Sequence, residues 1–300
     1  MNDALRPVAY LGGLAALFAG ALGAGTLIGG GDESRAQPPA AHGDAMAGMA
    51  DEGSAAGHDG DAAGHASANG AASGLAVAAN GLRLVAPSSA RAGATERFAF
   101  RVVDGDGATV RDFDVQHTKR LHLIAVRRDL TGFQHLHPRQ DASGGWSTPL
   151  TLRDAGAYRV FADVKPAGGD TVALASDVLV GGDFRPRPLP APTRATRVDG
   201  YDVALSASPA RDGETTLTYT ITRDGAPVAV EPYLGASGHL VALRAGDLAY
   251  LHVHPLADAD RGQIAFAAHY PSGGRYRLFL QFKAAGRVHT AALTQEAGEA

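Results

Sequence analysis

One block of this chain occurs twice. Residues 122–138 read HLIAVRRDLTGFQHLHP and residues 239–255 read HLVALRAGDLAYLHVHP. In each copy a histidine is followed by another 13 residues on and a third 2 residues later. Arg127 matches Arg244, Phe133 matches Tyr250 and Pro138 matches Pro255. The alignment resumes downstream, where GAYRVFADVKPAG (156–168) matches GRYRLFLQFKAAG (274–286), and the offset moves only from 117 to 118. Self-similarity over such a span is an internal duplication, so the chain must fold as two copies of one unit.

The unit reads as β-structure. From Leu82 onward, short alternating runs are separated by Gly, Asp and Pro. They predict strands near 82–86, 96–103, 120–127, 133–137, 146–152, 157–164 and 172–179. Seven short strands in about 100 residues suggest an immunoglobulin-like sandwich. Asp154-Ala155-Gly156-Ala157-Tyr158 has the form of a tyrosine corner, and Gly274-Arg275-Tyr276 keeps it in the second copy. The expected fold class is all-β: two tandem immunoglobulin-like sandwiches, at 75–181 and 197–295. GDFRPRPLPAPTRAT (182–196) carries four prolines and predicts a stiff, extended linker.

Ahead of the sandwiches lie two other segments. Val8 to Ile28 is apolar or small and uncharged, long enough to span a bilayer. Arg6 precedes it and Asp32 and Glu33 follow, which favours an inside amino terminus and an extracytoplasmic remainder. Residues 1–30 therefore read as a single-pass anchor. A signal peptide cut near Ala19-Gly20-Ala21, giving a secreted protein, is the alternative. Residues 31–74 are rich in Ala, Gly, Asp and Ser and predict a disordered spacer. His42, Met46, Met49, His58 and His65 stand in it as weaker metal candidates, with thioether suited to Cu(I) and imidazole to Cu(II) or zinc.

The repeated block carries the chemistry. As a hairpin turning between Asp129 and Leu130, it sets His122 opposite His137 and Ile124 opposite His135. Side chains alternate along a strand, so His122, His135 and His137 share one face. The same reasoning groups His239, His252 and His254. Three neutral imidazoles crowded together lack donors for one another, and three protonated ones repel, so a bound cation relieves both problems. The structural alternative has the imidazoles bonded to backbone, since Ile124, Val126 and Phe133 share their face. His117, His269 and His289 are weaker candidates. If the first strand ran back to His117, that ring would point away from His122. Asp163, matched by Gln281, reads as a surface residue or a buried hydrogen-bonding one.

The chain has no cysteine, which excludes disulfides, thiolate zinc sites, blue-copper sites and cysteine catalysis. A net charge of −4 gives no reason to invoke nucleic acid. No Ser/His/Asp signature, phosphate loop or HExxH stands here, so an enzyme is not expected.

The anchor YLGGLAALFAGALGAGTLIGG, the His- and Met-containing spacer, and the blocks HLIAVRRDLTGFQHLHP and GHLVALRAGDLAYLHVHP together resemble a group of actinobacterial membrane or secreted proteins. The resemblance covers nearly the whole chain. It implies an extracytoplasmic protein associated with copper or another heavy metal. The expected function is copper capture, buffering or delivery to a membrane transporter, with zinc or no metal as alternatives. A surface interaction module with structural histidines is the rival.

Overall fold

The computed structural model describes residues 73–210, 213–251, 253–256 and 262–298. The predicted anchor and the spacer up to residue 72, with His42, Met46, Met49, His58 and His65, lie outside them, as does His252. The last two residues of the predicted disordered spacer are instead held against the fold: the Tyr250 N–H donates to the Ser73 carbonyl at 2.8 Å and Arg159 Nε donates to the Gly74 carbonyl at 3.1 Å. No helix of the described residues is long and apolar enough to cross a membrane.

The described chain is β-structure throughout. The first repeat holds β1 (Ala78–Ala79), β2 (Leu82–Val85), β3 (Ser89–Ala90), β4 (Thr95–Val103), β5 (Leu121–Arg127), β6 (Gln134–Leu136), β7 (Arg139–Gln140), β8 (Trp146–Thr151), β9 (Gly156–Val164) and β10 (Val172–Val180). The second holds β11 (Ala195–Val198), β12 (Tyr201–Pro209), β13 (Thr215–Arg223), β14 (Ala226–Pro227), β15 (Gly238–Arg244), β16 (Tyr250–Leu251), β17 (Val253–Pro255), β18 (Gln263–Ala268), β19 (Gly274–Ala284) and β20 (Arg287–Ala297).

Each repeat is a two-sheet sandwich. In the first, the sheet β1-β2-β4-β8-β7 faces the sheet β3-β10-β9-β5-β6. In the second, β11-β12-β13-β18-β17 faces β16-β15-β19-β20. With β2, β4 and β8 on one side against β5, β9 and β10 on the other, and β12, β13 and β18 against β15, β19 and β20 in the second repeat, the connectivity is immunoglobulin-like. Period-two alternation builds the layers. Phe98, Phe100 and Val102 of β4 point into the first core while Arg97, Ala99 and Arg101 stay exposed. The corner tyrosines close both units: the Asp154 N–H donates to the Tyr158 hydroxyl at 3.2 Å, and the Tyr276 hydroxyl donates to the Ser272 carbonyl at 2.9 Å.

The alternation breaks at β5, where all seven residues are buried. The reason is tertiary. Leu121, Leu123 and Ala125 enter the sandwich core, while Ile124 and Val126 enter a third apolar cluster that both repeats share. Phe161, Ala173 and Ala175 of the first repeat meet Val241, Leu243, Leu248, Tyr250 and Phe279 of the second. The two repeats thus stack through their inner sheets, burying strands on both faces.

The stacking is pseudo-symmetric. Phe133 of repeat one lies flat on Phe279 of repeat two, with ring centroids 4.1 Å apart. Tyr250 of repeat two packs on Phe161 of repeat one at 5.5 Å. Because Phe133 matches Tyr250 and Phe161 matches Phe279, each contact is the other's image, as across the two-fold axis of a homodimer.

The proline-rich segment is pinned along this assembly. Phe184 receives the Arg127 guanidinium, the Arg187 N–H donates to Asp129 at 2.8 Å, and Leu189 packs on the shared cluster. The Thr193 N–H donates to the Thr294 carbonyl at 2.9 Å. Gly156 is required where this segment crosses β9. It has φ +135°, and a Cβ there would meet the Phe184 ring at 2.7 Å.

Candidate metal centre

The hairpin of repeat one has the expected register. Ile124 pairs with His135 and Leu123 with Leu136. The same register carries His137 to His122 just beyond β6. Ring centroids of His122, His135 and His137 lie 4.8 to 5.1 or 5.2 Å apart. One ring nitrogen from each falls within 4.8 Å of the others. His122 is buried, while His135 and His137 are half-buried.

His117 joins from an unexpected direction. The strand does not run back to it. Gln116 to Lys119 form a tight turn with φ 46° at His117 and 66° at Thr118, the pattern of a type I′ turn. Leu234 and Gly235 make the matching turn in repeat two. The turn folds the His117 ring to 6.1 Å from His122 and 5.4 Å from His239.

The second triad is distributed differently. His239 leaves its own repeat's grouping and stacks on the first cluster, 5.3 Å from His122 and 4.7 Å from His135. The return strand splits: β16 pairs with β15, but β17 pairs with β18, where exposed His254 lies in register with Ala267. So the described part of repeat two does not carry His254 along β15 as the hairpin reading expected.

A proline explains why repeat one differs. The position matching Ala267 is Pro149. The Asp141 N–H bonds the Gly145 carbonyl and Arg139 pairs with Ser147, so that ladder, continued, would set His137 opposite Pro149. Proline has no N–H to offer there. β7 therefore starts at Arg139, and His137 stays with the histidine cluster.

The other candidates lie elsewhere. His289 is buried in β20, with Nδ1 2.7 Å from Asp199 Oδ2 and Nε2 3.2 Å from the Ala284 carbonyl, so both nitrogens are engaged. His269 is exposed just after β18.

Hydrogen-bond partners bear on which nitrogens face the cluster. His122 Nε2 lies 3.0 Å from the Gln116 carbonyl, which only accepts, so Nε2 carries the proton and Nδ1 a lone pair. His135 Nδ1 lies 2.7 Å from Gln281 Oε1; with the amide in this orientation Nδ1 carries the proton and Nε2 is bare. In that arrangement two bare nitrogens, His122 Nδ1 and His135 Nε2, face each other at 3.0 Å. His137 Nε2 is buried with no partner among the described residues. Burial also resists the alternative of placing a proton there. It lowers His122, and it holds His135 at about 3, His137 at about 4 and His239 at about 2.

A carboxylate stands alongside. Asp163 pairs with His122 across β5 and β9, its Oδ2 lies 3.4 Å from the Tyr250 hydroxyl, and its Oδ1 is buried without a partner among the described residues. Burial pushes Asp163 up to about 6, against the pull of His122. Sequence reasoning named Gln281 and Tyr250 only as the matches of Asp163 and Phe133 and passed over Gln116; the roles of all three arise only where the repeats and the turn meet.

A family model described as a domain of unknown function, DUF8832, matches residues 77–181 and again residues 196–299. The chain belongs to this family. The two matches coincide with the two sandwiches, so one DUF8832 domain is one repeat. No curated protein matches the chain. Among solved structures, a DUF4426 family protein from Pseudomonas aeruginosa is similar over 36% of this chain and 99% of its own, at 10% identity and TM-score 0.29. Yersinia pseudotuberculosis InvD is similar over 72% of this chain at 15% identity and TM-score 0.24, and the match spans 57% of InvD. A membrane-anchored protein from Corynebacterium diphtheriae is similar over 74% of this chain and 60% of its own, at 8% identity and TM-score 0.23. Likenesses at these scores carry no functional inference.

Proposed function

We propose that the chain binds a transition-metal ion through His122, His135 and His137, and that copper capture or transfer outside the cytoplasm is its role. The observation that carries this reading is the 3.0 Å approach of His122 Nδ1 and His135 Nε2, with the Gln116 and Gln281 oxygens held on their other nitrogens. With the Gln281 oxygen towards His135 the two lone pairs face and repel, and a cation between or beside them turns the contact favourable. Metal–nitrogen bonds of about 2.0 to 2.1 Å in a tetrahedral sphere set nitrogens roughly 3.3 Å apart. The first two donors already stand near that spacing; His137 needs to swing inward by on the order of 1 Å. An all-imidazole set suits Cu(II) and zinc, with copper favoured by the intrinsic affinity order. Three donors leave a position open, which fits capture and release better than permanent storage. The extracytoplasmic placement rests on the apolar segment at residues 8–28 and the charges that flank it.

The rival reading, an interaction module with structural histidines, draws on a specific feature. The Gln281 amide also contacts the Thr290 hydroxyl, 3.3 Å from Nε2, and a hydroxyl serves either amide orientation. Turned over, Gln281 would donate to His135 Nδ1, and His135 Nε2–H could donate to His122 Nδ1. The cluster would then be a satisfied relay without metal.

Titration of the protein with Cu(II) and zinc, by calorimetry and EPR, separates the two. Metal binding tighter than about micromolar, with nitrogen hyperfine structure that His135→Ala/His137→Ala removes, supports the metal reading. No binding, with the double variant merely less stable, sinks it.

A further inference from the structure

We infer that the second repeat is the positioning half of this metal centre, with Gln281 setting the ligand atom of His135 from across the repeat interface, so that each chain holds one ion there and the ion ties the two repeats together. The inference rests on the metal reading above and goes beyond it, since the ligands themselves all come from repeat one.

Gln281 is matched by Asp163, and each is the cross-strand partner of its own repeat's first histidine: Asp163 of His122, Gln281 of His239. Yet the Gln281 amide leaves His239 and reaches His135 of the other repeat at 2.7 Å. Thr290 on β20 holds the far side of the amide. A continuous chain of groups results, from Thr290 through Gln281, His135 and His122 to the Gln116 carbonyl. A ligating histidine needs its second nitrogen held by such an acceptor to fix ring orientation and tautomer. Here the acceptor belongs to repeat two, while the ligand belongs to repeat one. His239 lies over both rings and closes the same side. Metal occupancy and docking of the repeats therefore become one equilibrium, because an ion favours the docked arrangement in which His135 is correctly held.

The test uses the full chain with Cu(II) and with zinc. Wild type is expected to bind one ion per chain at the cluster. Gln281→Met keeps the length and burial but offers no acceptor, and should weaken that binding by roughly 10- to 100-fold, with altered Cu(II) hyperfine couplings. Gln281→Glu accepts the same N–H and should restore both. Gln281→Asn, which keeps an amide but draws it back, should resemble the Met variant and replaces it if that variant does not fold. Hydrogen exchange gives an independent reading: metal should slow exchange in β19 as well as β5 in wild type, and lose the effect on β19 in Gln281→Met. Wild-type affinity and hyperfine couplings in Gln281→Met or Gln281→Asn overturn the inference while leaving the metal reading standing. A wild type that binds no metal removes both.

Discussion

His122 Nδ1 and His135 Nε2 approach to 3.0 Å although each ring spends its other nitrogen on a carbonyl oxygen, His122 on Gln116 and His135 on Gln281. Neutral rings that each donate to those oxygens meet lone pair to lone pair; if the Gln281 amide is turned over, His135 Nε2–H donates to His122 instead. Nitrogen-15 shifts of the metal-free protein should therefore show His122 as the Nε2–H tautomer. His135 as the Nδ1–H tautomer supports the metal reading, and His135 as the Nε2–H tautomer supports the structural relay.

Acid should destabilise the metal-free protein over a defined window. The folded state holds His135 at about 3 and His137 at about 4, below the ordinary value, because burial disfavours their charge. The unfolded chain takes up those protons first, so stability is complete above about pH 6.5 and falls as pH drops towards 4. Asp163 acts in the opposite sense. Its folded value of about 6 makes its contribution greatest below about pH 4 and erodes it as pH rises through 6. The imidazoles outnumber the carboxylate, so the net expectation is a melting temperature that declines from pH 6.5 to 4 under chelator. Replacing His137 with Leu should flatten that decline.

Restoring a backbone donor at residue 149 should loosen the cluster. Pro149→Ala gives β8 the N–H that its counterpart Ala267 has, which allows β7 to extend to His137 as β17 does to His254. The expected outcome is slower amide exchange at residue 149 than at other exposed β8 edge positions, together with weaker metal binding.

The aromatic pair at the interface should hold the repeats together. Phe279 is buried against Phe133 in a parallel stack. Phe279→Ala removes that contact and leaves a cavity, at a cost of about 3 kcal/mol by urea denaturation. Loss of cooperativity between the repeats, seen as two transitions instead of one, would accompany it.

One ion pair occurs in both repeats at different depth. Arg127 and Asp129 are 2% and 8% exposed, whereas Arg244 and Asp247 are 21% and 40% exposed. Burial pushes the Asp129 carboxyl up, but bonds from Arg127, Thr131 and the Arg187 N–H outweigh it and hold it below its ordinary value. Asp129→Ala strands a buried guanidinium and should destabilise by about 3 kcal/mol. Asp247→Ala should cost under about 1 kcal/mol, because water can reach Arg244. Equal losses would contradict this use of depth.

The sequence by itself determined the repeat, the strands, the corner tyrosines and the register that brings His122, His135 and His137 to one face. These are local matters: period-two alternation and a hairpin turn act between near neighbours along the chain. Only the tertiary structure decided that this face is not an end of a sandwich but the contact between two of them. It moved His239 onto the first cluster, turned His117 inward through a positive-φ turn and gave His135 its acceptor from Gln281. It also sent His254 to another sheet, because Ala267 has the N–H that Pro149 lacks. Residues matched by duplication need not keep matched partners. Once two copies pack against each other, each side chain meets whichever repeat is nearest, and a pattern read along one strand does not encode that choice.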